Sequence, residues 1–233
     1  MRMILFLTVV LIASCASAEG EPRGAVTGGP LVLELFTSQG CSSCPPADAL
    51  LSRLVRSGEH VAPLSFHVDY WNELGWADPF SLPAWTERQQ SYARALGDNR
   101  VYTPELVIGG ATGVVGSQQG AVSRAIADAT RPAILVASAS WARDKVEVKA
   151  TAPADADVFV AVWEDTTRTR VPRGENAGST LDSDRVVRRF ERVAAAGHDG
   201  AITVAIDPAW HAGAVAFAQR ADKKIVASAL LPR

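Results

Sequence analysis

The chain has few cysteines, and this scarcity limits the chemistry available to it. Only three of its 233 residues are cysteines, and the first lies at position 15, close to the N-terminus. The remaining two thiols do not supply the four protein ligands that a structural zinc site usually has. A chain of this size also does not depend on one tight disulfide in order to fold. The two cysteines at positions 41 and 44 therefore call for a functional explanation.

An excess of charge of one sign is also absent. The chain carries 23 basic and 25 acidic residues, which gives a formal net charge of -2. No basic patch with interleaved aromatic residues is present, so we expect no nucleic-acid partner. Hydrophobic residues make up 48% of the chain, enough for a packed core in one large domain or two small ones.

Long apolar runs are missing as well. The run Ile4–Ala13 is too short for a transmembrane anchor, and the small residues Ala16-Ser17-Ala18 follow it. This pattern predicts a signal peptide over residues 1–18 and a periplasmic or secreted protein. The overlapping segment Ile12-Ala13-Ser14-Cys15 also resembles a bacterial lipoprotein cleavage box, which would leave a lipid anchor on its cysteine. On both interpretations we expect the protein to be exported.

The segment Cys41-Ser42-Ser43-Cys44 lies where the apolar run Leu31–Phe36 gives way to a helical pattern. Its spacing lets both sulfurs meet across one turn and cycle between dithiol and disulfide, and a helix N-terminus favours the thiolate. A purely structural disulfide would normally close a longer loop. We therefore predict thiol–disulfide exchange with protein or small-molecule thiols, without an organic cofactor. Cys41 is expected to attack and Cys44 to resolve.

Two other functions remain open at this point. Copper(I) accepts two thiolates and one further ligand, so the chain is alternatively a copper chaperone in which His67 completes the site. The third possibility is a non-catalytic binding module, in which the cysteines are dispensable. The oligomeric state is not encoded in any recognisable pattern.

Strand and helix patterns alternate over residues 30–131, whereas short alternating segments separated by turns fill residues 132–233. The first pattern predicts a mixed sheet flanked by helices, and the second predicts an antiparallel β-sandwich-like domain. Arg185–Val193 fits either type of element and is assigned to a strand. The expected elements of the first part are strands Leu31–Phe36, Val61–His67, Glu105–Ile108 and Thr112–Val115, and helices Cys41–Arg56, Ser81–Leu96 and Ser117–Ala129.

This order, with Cys-x-x-Cys at a helix start and Thr103-Pro104 opening a later strand, resembles the thioredoxin fold. The resemblance implies that Pro104 forms a cis peptide bond against the disulfide and that Thr103 contacts substrate. Further motifs resemble the exported, thioredoxin-like bacterial family called domain of unknown function 1223, which implies a redox site but no established substrate. These motifs are Glu34–Asp48, Phe66–Trp71, Gly75-Trp76, Asp78-Pro79-Phe80, Val101–Pro104 and Gly174–Gly178.

Glu34 interrupts an otherwise apolar strand and has two interpretations. In a thioredoxin-like sheet a carboxylate here would lie beneath the cysteines and exchange a proton with Cys44. Alternatively, it faces solvent or pairs with an arginine. The expected catalytic residues are Cys41, Cys44, Glu34, Thr103 and Pro104.

An aromatic-rich connection follows the second predicted strand, at the end where open α/β sheets place their sites. It either walls the disulfide and binds a peptide or small thiol, or packs against the next helix. The expected substrate-binding residues are His67, Asp69, Tyr70, Trp71, Trp76 and Tyr102. The polar loop at Gly174-Glu175-Asn176 either reaches the cysteines or is an ordinary surface loop.

Overall fold

The computed structural model describes residues 27–98 and 100–233. The predicted signal peptide over residues 1–18 and the lipoprotein-like box with Cys15 lie outside the described residues. Within the described residues, every helix is too short or too polar to cross a membrane.

The described residues form three α-helices and fourteen β-strands. All three helices lie in the first half, between strands, and every element after residue 128 is a strand. The elements are β1 (Leu31–Thr37), α1 (Pro45–Arg56), β2 (Val61–His67), α2 (Pro83–Leu96), β3 (Glu105–Ile108), β4 (Thr112–Val115), α3 (Gln119–Asp128), β5 (Ala133–Ile134), β6 (Ala137–Trp141), β7 (Lys145–Thr151), β8 (Asp157–Glu164), β9 (Thr167–Arg170), β10 (Thr180–Ser183), β11 (Val186–Ala194), β12 (Asp199–Ala205), β13 (Ala212–Gln219) and β14 (Ile225–Leu231).

The first half is a mixed sheet with helices on both faces. Strand β1 pairs in parallel with β2 and antiparallel with β3, which in turn pairs with β4. Both β1 and β2 are buried along their whole length, as expected of strands covered on two faces. Leu33 and Leu35 lie in one apolar cluster with α1, whereas Val32 and Phe36 lie in another with α2. Alternate residues of β1 therefore face opposite layers.

The helix predicted to start at Cys41 begins at Pro45, with Cys44 as its N-cap residue. The two prolines explain this correction, because each lacks an N–H and fits only the first turn, where that donor has no helical partner. The next helix starts at Pro83 rather than Ser81 for the same reason. Cys41 consequently lies in the turn that leads into α1, rather than inside the helix.

The second half does not form a separate β-sandwich. Strand β11 pairs in parallel with β2 through Val186 and Ser65, and the Ser65 N–H donates to the Arg185 carbonyl at 2.9 Å. One nine-stranded sheet therefore runs through the molecule, in the order β4-β3-β1-β2-β11-β8-β13-β14-β5. The sequence pattern identified the strands but not their partners, because alternation does not say which edge a strand joins. The assignment of Arg185–Val193 to a strand is confirmed by β11.

A second sheet, in the order β12-β7-β6, packs against one face of the large sheet. The alternating burial of β7 shows which residues face the interior: Val146, Val148 and Ala150 are buried and their neighbours are exposed. They lie in one core cluster with Val160 and Val162 of β8. Two β layers thus meet face to face here, as a sandwich requires, but the larger layer also belongs to the first half of the chain.

Candidate functional site

Cys41 and Cys44 form a disulfide in the turn before α1, with their Cα atoms 5.5 Å apart. The Cys41 N–H donates to the Ser38 carbonyl and the Cys44 N–H donates to the Cys41 carbonyl, both at 3.2 Å. Both cysteines have an exposed fraction of 0%. Hydrogen bonds of the turn therefore hold the two cysteines close together, and the surrounding residues bury both of them.

The peptide bond between Thr103 and Pro104 is cis, and it lies beside the disulfide. Ser43 connects the two, because its Oγ lies 3.3 Å from Cys41 Sγ and 3.4 Å from the Thr103 carbonyl oxygen. Trp71 Nε1 donates to Thr103 Oγ1 at 2.8 Å. The fold thus brings together five of the residues expected from the sequence, Cys41, Cys44, Thr103, Pro104 and Trp71.

The loop at residues 174–178 reaches the cysteines from the second half of the chain. Asn176 Nδ2 donates to the carbonyl oxygens of Gln39 at 2.9 Å and Cys41 at 3.0 Å. The Ser42 N–H donates to Glu175 Oε2 at 3.0 Å. Hydrogen bonds from the side chain and backbone of Ser42 lower the pKa of Glu175. This loop, which we call the covering loop, lies against the backbone of the turn that carries Cys41.

Glycines allow the covering loop to approach the aromatic connection closely. Gly174 has a φ of 82°, and a Cβ there would lie 3.0 Å from Trp76 Cβ. A Cβ on Gly75, whose φ is 105°, would lie 3.2 Å from the Gly174 Cα. Trp76 Nε1 in turn donates to Gln39 Oε1 at 3.2 Å. This hydrogen bond connects the aromatic connection, against which the covering loop packs, to the turn before the cysteines.

Asp48 is the site residue that the sequence analysis did not single out. Its backbone N–H donates to the Cys44 carbonyl at 3.1 Å, and Thr37 Oγ1 donates to its Oδ2 at 3.2 Å. Burial raises the pKa of this carboxyl group to about 7, against the opposing effect of the positive charge of His67. The available signal was its spacing, four residues after Cys44 on the same helix face.

His67 and Asp78 form a buried ion pair next to Asp48, with Nδ1 and Oδ2 2.7 Å apart. The backbone N–H groups of Gln39 and Phe80 donate to the Asp78 carboxylate at 2.7 and 2.9 Å. Burial alone would lower the pKa of His67, but the Asp78 carboxylate raises it above its usual value. Burial likewise opposes ionisation of Asp78, yet His67 and these hydrogen bonds lower its pKa.

The ion pair also concerns the alternative function, in which His67 would be the third ligand of a copper ion held by the two cysteines. Asp78 occupies Nδ1 of His67, the proposed third ligand, and leaves its Nε2 buried without a hydrogen-bond partner. Over residues 27–98 and 100–233, no three His, Cys, Asp or Glu side chains are grouped so that they hold a metal ion.

Two of the expected site residues are engaged on other parts of the fold. Glu34 accepts hydrogen bonds from Arg88 at 2.5 and 2.9 Å and a further one from Tyr92, on the α2 side of the sheet. Glu34 therefore pairs with Arg88 on the α2 side of the sheet. The cysteines lie on the other side, with α1. Asp69 accepts from Thr86 Oγ1 at 2.5 Å and so fixes the start of the connection against α2.

Tyr70 and Tyr102 meet through Gln89. Tyr70 Oη donates to Gln89 Oε1 at 3.3 Å, and Gln89 Nε2 donates to the Tyr102 carbonyl at 2.7 Å. Burial raises the pKa of each tyrosine to about 12, so both are neutral donors at ordinary pH. Their contacts hold the backbone that precedes Thr103, which makes them supports of the site.

A cleft of about 770 Å³ lies between α1 and the β9–β10 hairpin. Asp48 lies on its helix wall together with Arg53 and Arg56, and the hairpin contributes Arg168 and Asp182. The cleft therefore carries charged side chains on both walls and is open to solvent on the side of α1 where Asp48 lies.

Similarity to known proteins supplies a family but no activity. No curated protein matches the chain. The crystal structure of protein AGR_C_4864 from Agrobacterium tumefaciens is 31% identical, with a TM-score of 0.68 over 89% of this chain and 96% of that one. HBP35 of Porphyromonas gingivalis is 14% identical, with a TM-score of 0.59 over 88% of this chain and 75% of that one, which shows a shared fold alone.

The family match covers most of the structure just described. Residues 32–219 match the family described as Protein of unknown function (DUF1223), a range that contains the cysteine pair, the Thr103–Pro104 bond and the covering loop. The chain belongs to the DUF1223 family.

Proposed function

We propose that this protein is an exported thiol–disulfide oxidoreductase with a thioredoxin-like fold, acting through Cys41 and Cys44 on protein or small-molecule thiols. The observation that carries the proposal is a disulfide between residues three apart at the entry to α1, which Ser43 links to the Thr103 backbone. A bond that closes so short a loop contributes little to folding stability. Reversible electron transfer is therefore its favoured use.

The arrangement of the first half supports the thioredoxin-like part of the proposal. Parallel β1 and β2 are joined through α1, and the antiparallel strands β3 and β4 follow α2 and precede α3. Export rests on the signal-like pattern of residues 1–18, which leads to a compartment where disulfides persist.

In the reducing direction, the Cys41 thiolate attacks one sulfur of a substrate disulfide and expels the other sulfur as a thiolate. The product is a mixed disulfide between Cys41 and the substrate. Cys44 then loses its proton, and its sulfur attacks the Cys41 sulfur, which breaks the mixed disulfide and releases the second substrate thiolate. The two cysteines end as a disulfide, and the substrate gains the two electrons that they lose. The oxidising direction is the reverse.

Both cysteines are buried, so a substrate reaches the sulfurs only after neighbouring groups move, and the proposal assigns this movement to the covering loop, which contacts the backbone of Cys41 and Ser42. The hydrogen bonds of Asn176 and Glu175 are made to main-chain groups beside the disulfide, at 2.9 to 3.0 Å. An extended peptide or thiol compound that displaces the loop leaves those same groups free to bind it. Trp71, beside Thr103, then lines the exposed site.

The test is equilibration of the pair with reduced and oxidised glutathione, followed by quenching and mass spectrometry. We expect a reversible dithiol–disulfide equilibrium in the native protein. With a disulfide substrate, Cys44→Ser should accumulate a mixed disulfide on Cys41, whereas Cys41→Ser should not. A pair that resists reduction in the folded protein, or cysteines whose replacement changes no exchange rate, would refute the proposal and favour a binding module.

A further inference from the structure

The covering loop holds both hydrogen-bonding groups of the peptide unit between Cys41 and Ser42. Asn176 Nδ2 donates to the Cys41 carbonyl oxygen at 3.0 Å, and the Ser42 N–H donates to Glu175 Oε2 at 3.0 Å. Two adjacent side chains of the loop therefore bind the carbonyl and the N–H of a single peptide group. Glu175 is the charged member of the two, and its carboxylate is bound to the residue that follows Cys41.

The carboxyl group of Glu175 is ionised in this contact. Hydrogen bonds from the side chain and backbone of Ser42 hold its pKa below the usual value. Backbone N–H groups at the entry to a helix carry partial positive charge, which favours an anion there. Among the described residues, no lysine, arginine or histidine forms an ion pair with Glu175. Its hold on the turn therefore depends on the electrostatic potential around Ser42.

The base of the covering loop is fixed, whereas glycines flank the segment that reaches the cysteines. The Val171 N–H donates to the Ser179 carbonyl at 2.9 Å, and the Gly178 N–H donates to the Val171 carbonyl at 2.8 Å. Gly174 and Gly178 both have a φ of 82°, and a Cβ on Gly178 would meet no atom within 4 Å. The segment between the glycines can therefore leave the cysteine turn without opening the β9–β10 hairpin.

The charge at Cys41 changes with the redox state of the pair. In the disulfide the Cys41 sulfur is neutral, and the covering loop is bound to the turn. In the dithiol the entry to a helix favours the thiolate of Cys41. A negative charge then appears on the residue next to the one that holds the Glu175 carboxylate, and like charges repel. The contact between Ser42 and Glu175 is therefore weaker in the reduced protein.

We infer that Glu175 holds the covering loop closed on the disulfide and releases it when Cys41 becomes a thiolate, so that the reduced protein admits substrate. The inference rests on the proposed function and specifies disulfides as the substrates. In each cycle the Cys41 thiolate and the Cys44 thiol lose two electrons and form their disulfide. The substrate disulfide gains these electrons and leaves as one thiolate and one thiol. The charge thus leaves with the product, and the loop closes again.

Glu175 is a positioning residue in this scheme, and its effect extends to the reduction potential. A group that binds the disulfide form more tightly than the dithiol form stabilises the disulfide by the same factor. A more stable disulfide makes the dithiol a stronger reductant. The latch formed by Glu175 and Ser42 therefore favours electron flow from Cys41 and Cys44 to the substrate.

Amide hydrogen exchange of residues 171–179, followed by mass spectrometry, tests the movement of the loop. In the native protein we expect exchange to be roughly 3- to 10-fold faster after reduction with a phosphine than in the disulfide form. Glu175→Gln keeps an acceptor oxygen but loses the charge, so both forms of this variant should exchange equally. Glu191→Gln, an exposed carboxylate of β11, is the control and should keep the native difference. Equal exchange in both forms of the native protein would overturn the inference.

The equilibrium with glutathione tests the effect on the reduction potential. In Glu175→Gln the equilibrium should move towards the dithiol by roughly 3- to 10-fold relative to the native protein, which is a rise of about 15–30 mV in reduction potential. Glu191→Gln should keep the native potential. A purely structural role of Glu175 would change the stability of the fold and leave the potential unchanged, so a native potential in Glu175→Gln would contradict the inference.

A third measurement needs no redox chemistry. Cys41→Asp places a fixed negative charge at this position, and Cys41→Asn is its neutral match, both combined with Cys44→Ser. Residues 171–179 should exchange faster in the aspartate variant than in the asparagine variant, and equal rates would overturn the inference. A pair that glutathione cannot reduce in the folded protein refutes the proposed function. The comparison of the two variants still decides whether a charge at position 41 releases the loop.

Discussion

Asn176 donates from Nδ2 to the carbonyl oxygen of Cys41 at 3.0 Å, although 135 positions separate the two residues along the chain. The same amide group donates to Gln39, so one side chain holds both ends of the turn before the cysteines. This contact joins the second half of the chain to the cysteine pair.

Replacement of Asn176 by alanine should therefore make the disulfide easier to reach. Two hydrogen bonds are lost, each with a net contribution of about 0.5–1.5 kcal/mol, so the loop should open more often. We expect reduction by dithiothreitol to accelerate roughly 5- to 150-fold, as followed by quenched mass spectrometry. Gln119→Ala, an exposed amide on α3, serves as the control. An unchanged rate in Asn176→Ala would show that the loop does not limit access.

Glu34→Gln should destabilise the protein strongly without changing the pH profile of exchange. The substitution leaves the buried guanidinium of Arg88 without its counter-ion, a loss of about 3–5 kcal/mol in the free energy of unfolding. Urea unfolding measures this loss. A pH profile of exchange that did shift in folded Glu34→Gln would return the proton-transfer role to Glu34.

The exposed pair of Arg168 and Asp182 provides the comparison for Glu34. Its geometry is similar, with two hydrogen bonds at 2.6 and 2.9 Å, but both side chains face solvent. Asp182→Asn should therefore change the free energy of unfolding far less than Glu34→Gln does, because solvent screens the exposed pair. Equal losses for the buried and exposed pairs would contradict the role of burial.

The pH dependence of the free energy of unfolding should reveal the raised pKa of Asp48. Its folded-state pKa, about 7, lies above the unfolded value, so between pH 4 and 7 the folded protein retains a proton that the unfolded chain has lost. Stability therefore falls as the pH rises through this range. Between pH 5 and 8 the native protein should lose roughly 2–3 kcal/mol relative to Asp48→Asn.

Urea unfolding of oxidised protein at the two pH values measures this difference. His67 adds a loss of its own above about pH 6.5, because its raised pKa stabilises the fold only while the ring is charged. Asp78, which raises the pKa of His67 more than Asp48 does, is present in both proteins, so the comparison removes most of this loss. Parallel pH curves for the native protein and Asp48→Asn would refute the raised pKa.

Local patterns were sufficient to predict much of the first half of the fold. The apolar runs located β1 and β2, and the spacing of Cys41 and Cys44 located the disulfide. Contacts between segments that are distant in the chain could not be predicted in this way. Nothing in its sequence neighbourhood tells whether Glu34 meets the cysteines or Arg88, since that depends on which face of β1 each helix covers.

The same limit explains Asp48 and the covering loop. Asp48 is one of several carboxylates in the sequence, and only the structure shows that it is half-buried, with its carboxyl group against Thr37 and near His67. The contact of Asn176 with Cys41 depends on the placement of β11 beside β2, which no local pattern specifies.

The seam between β2 and β11 has a consequence for any attempt to divide this protein. The family match, residues 32–219, runs across it, and every residue of β2 is buried. A chain ending at residue 131 would expose the apolar edge of β2 to water, and such an edge invites pairing with a second molecule. Fragments cut between the halves should therefore self-associate, and the smallest useful unit for studying the Cys41–Cys44 disulfide is the uninterrupted chain.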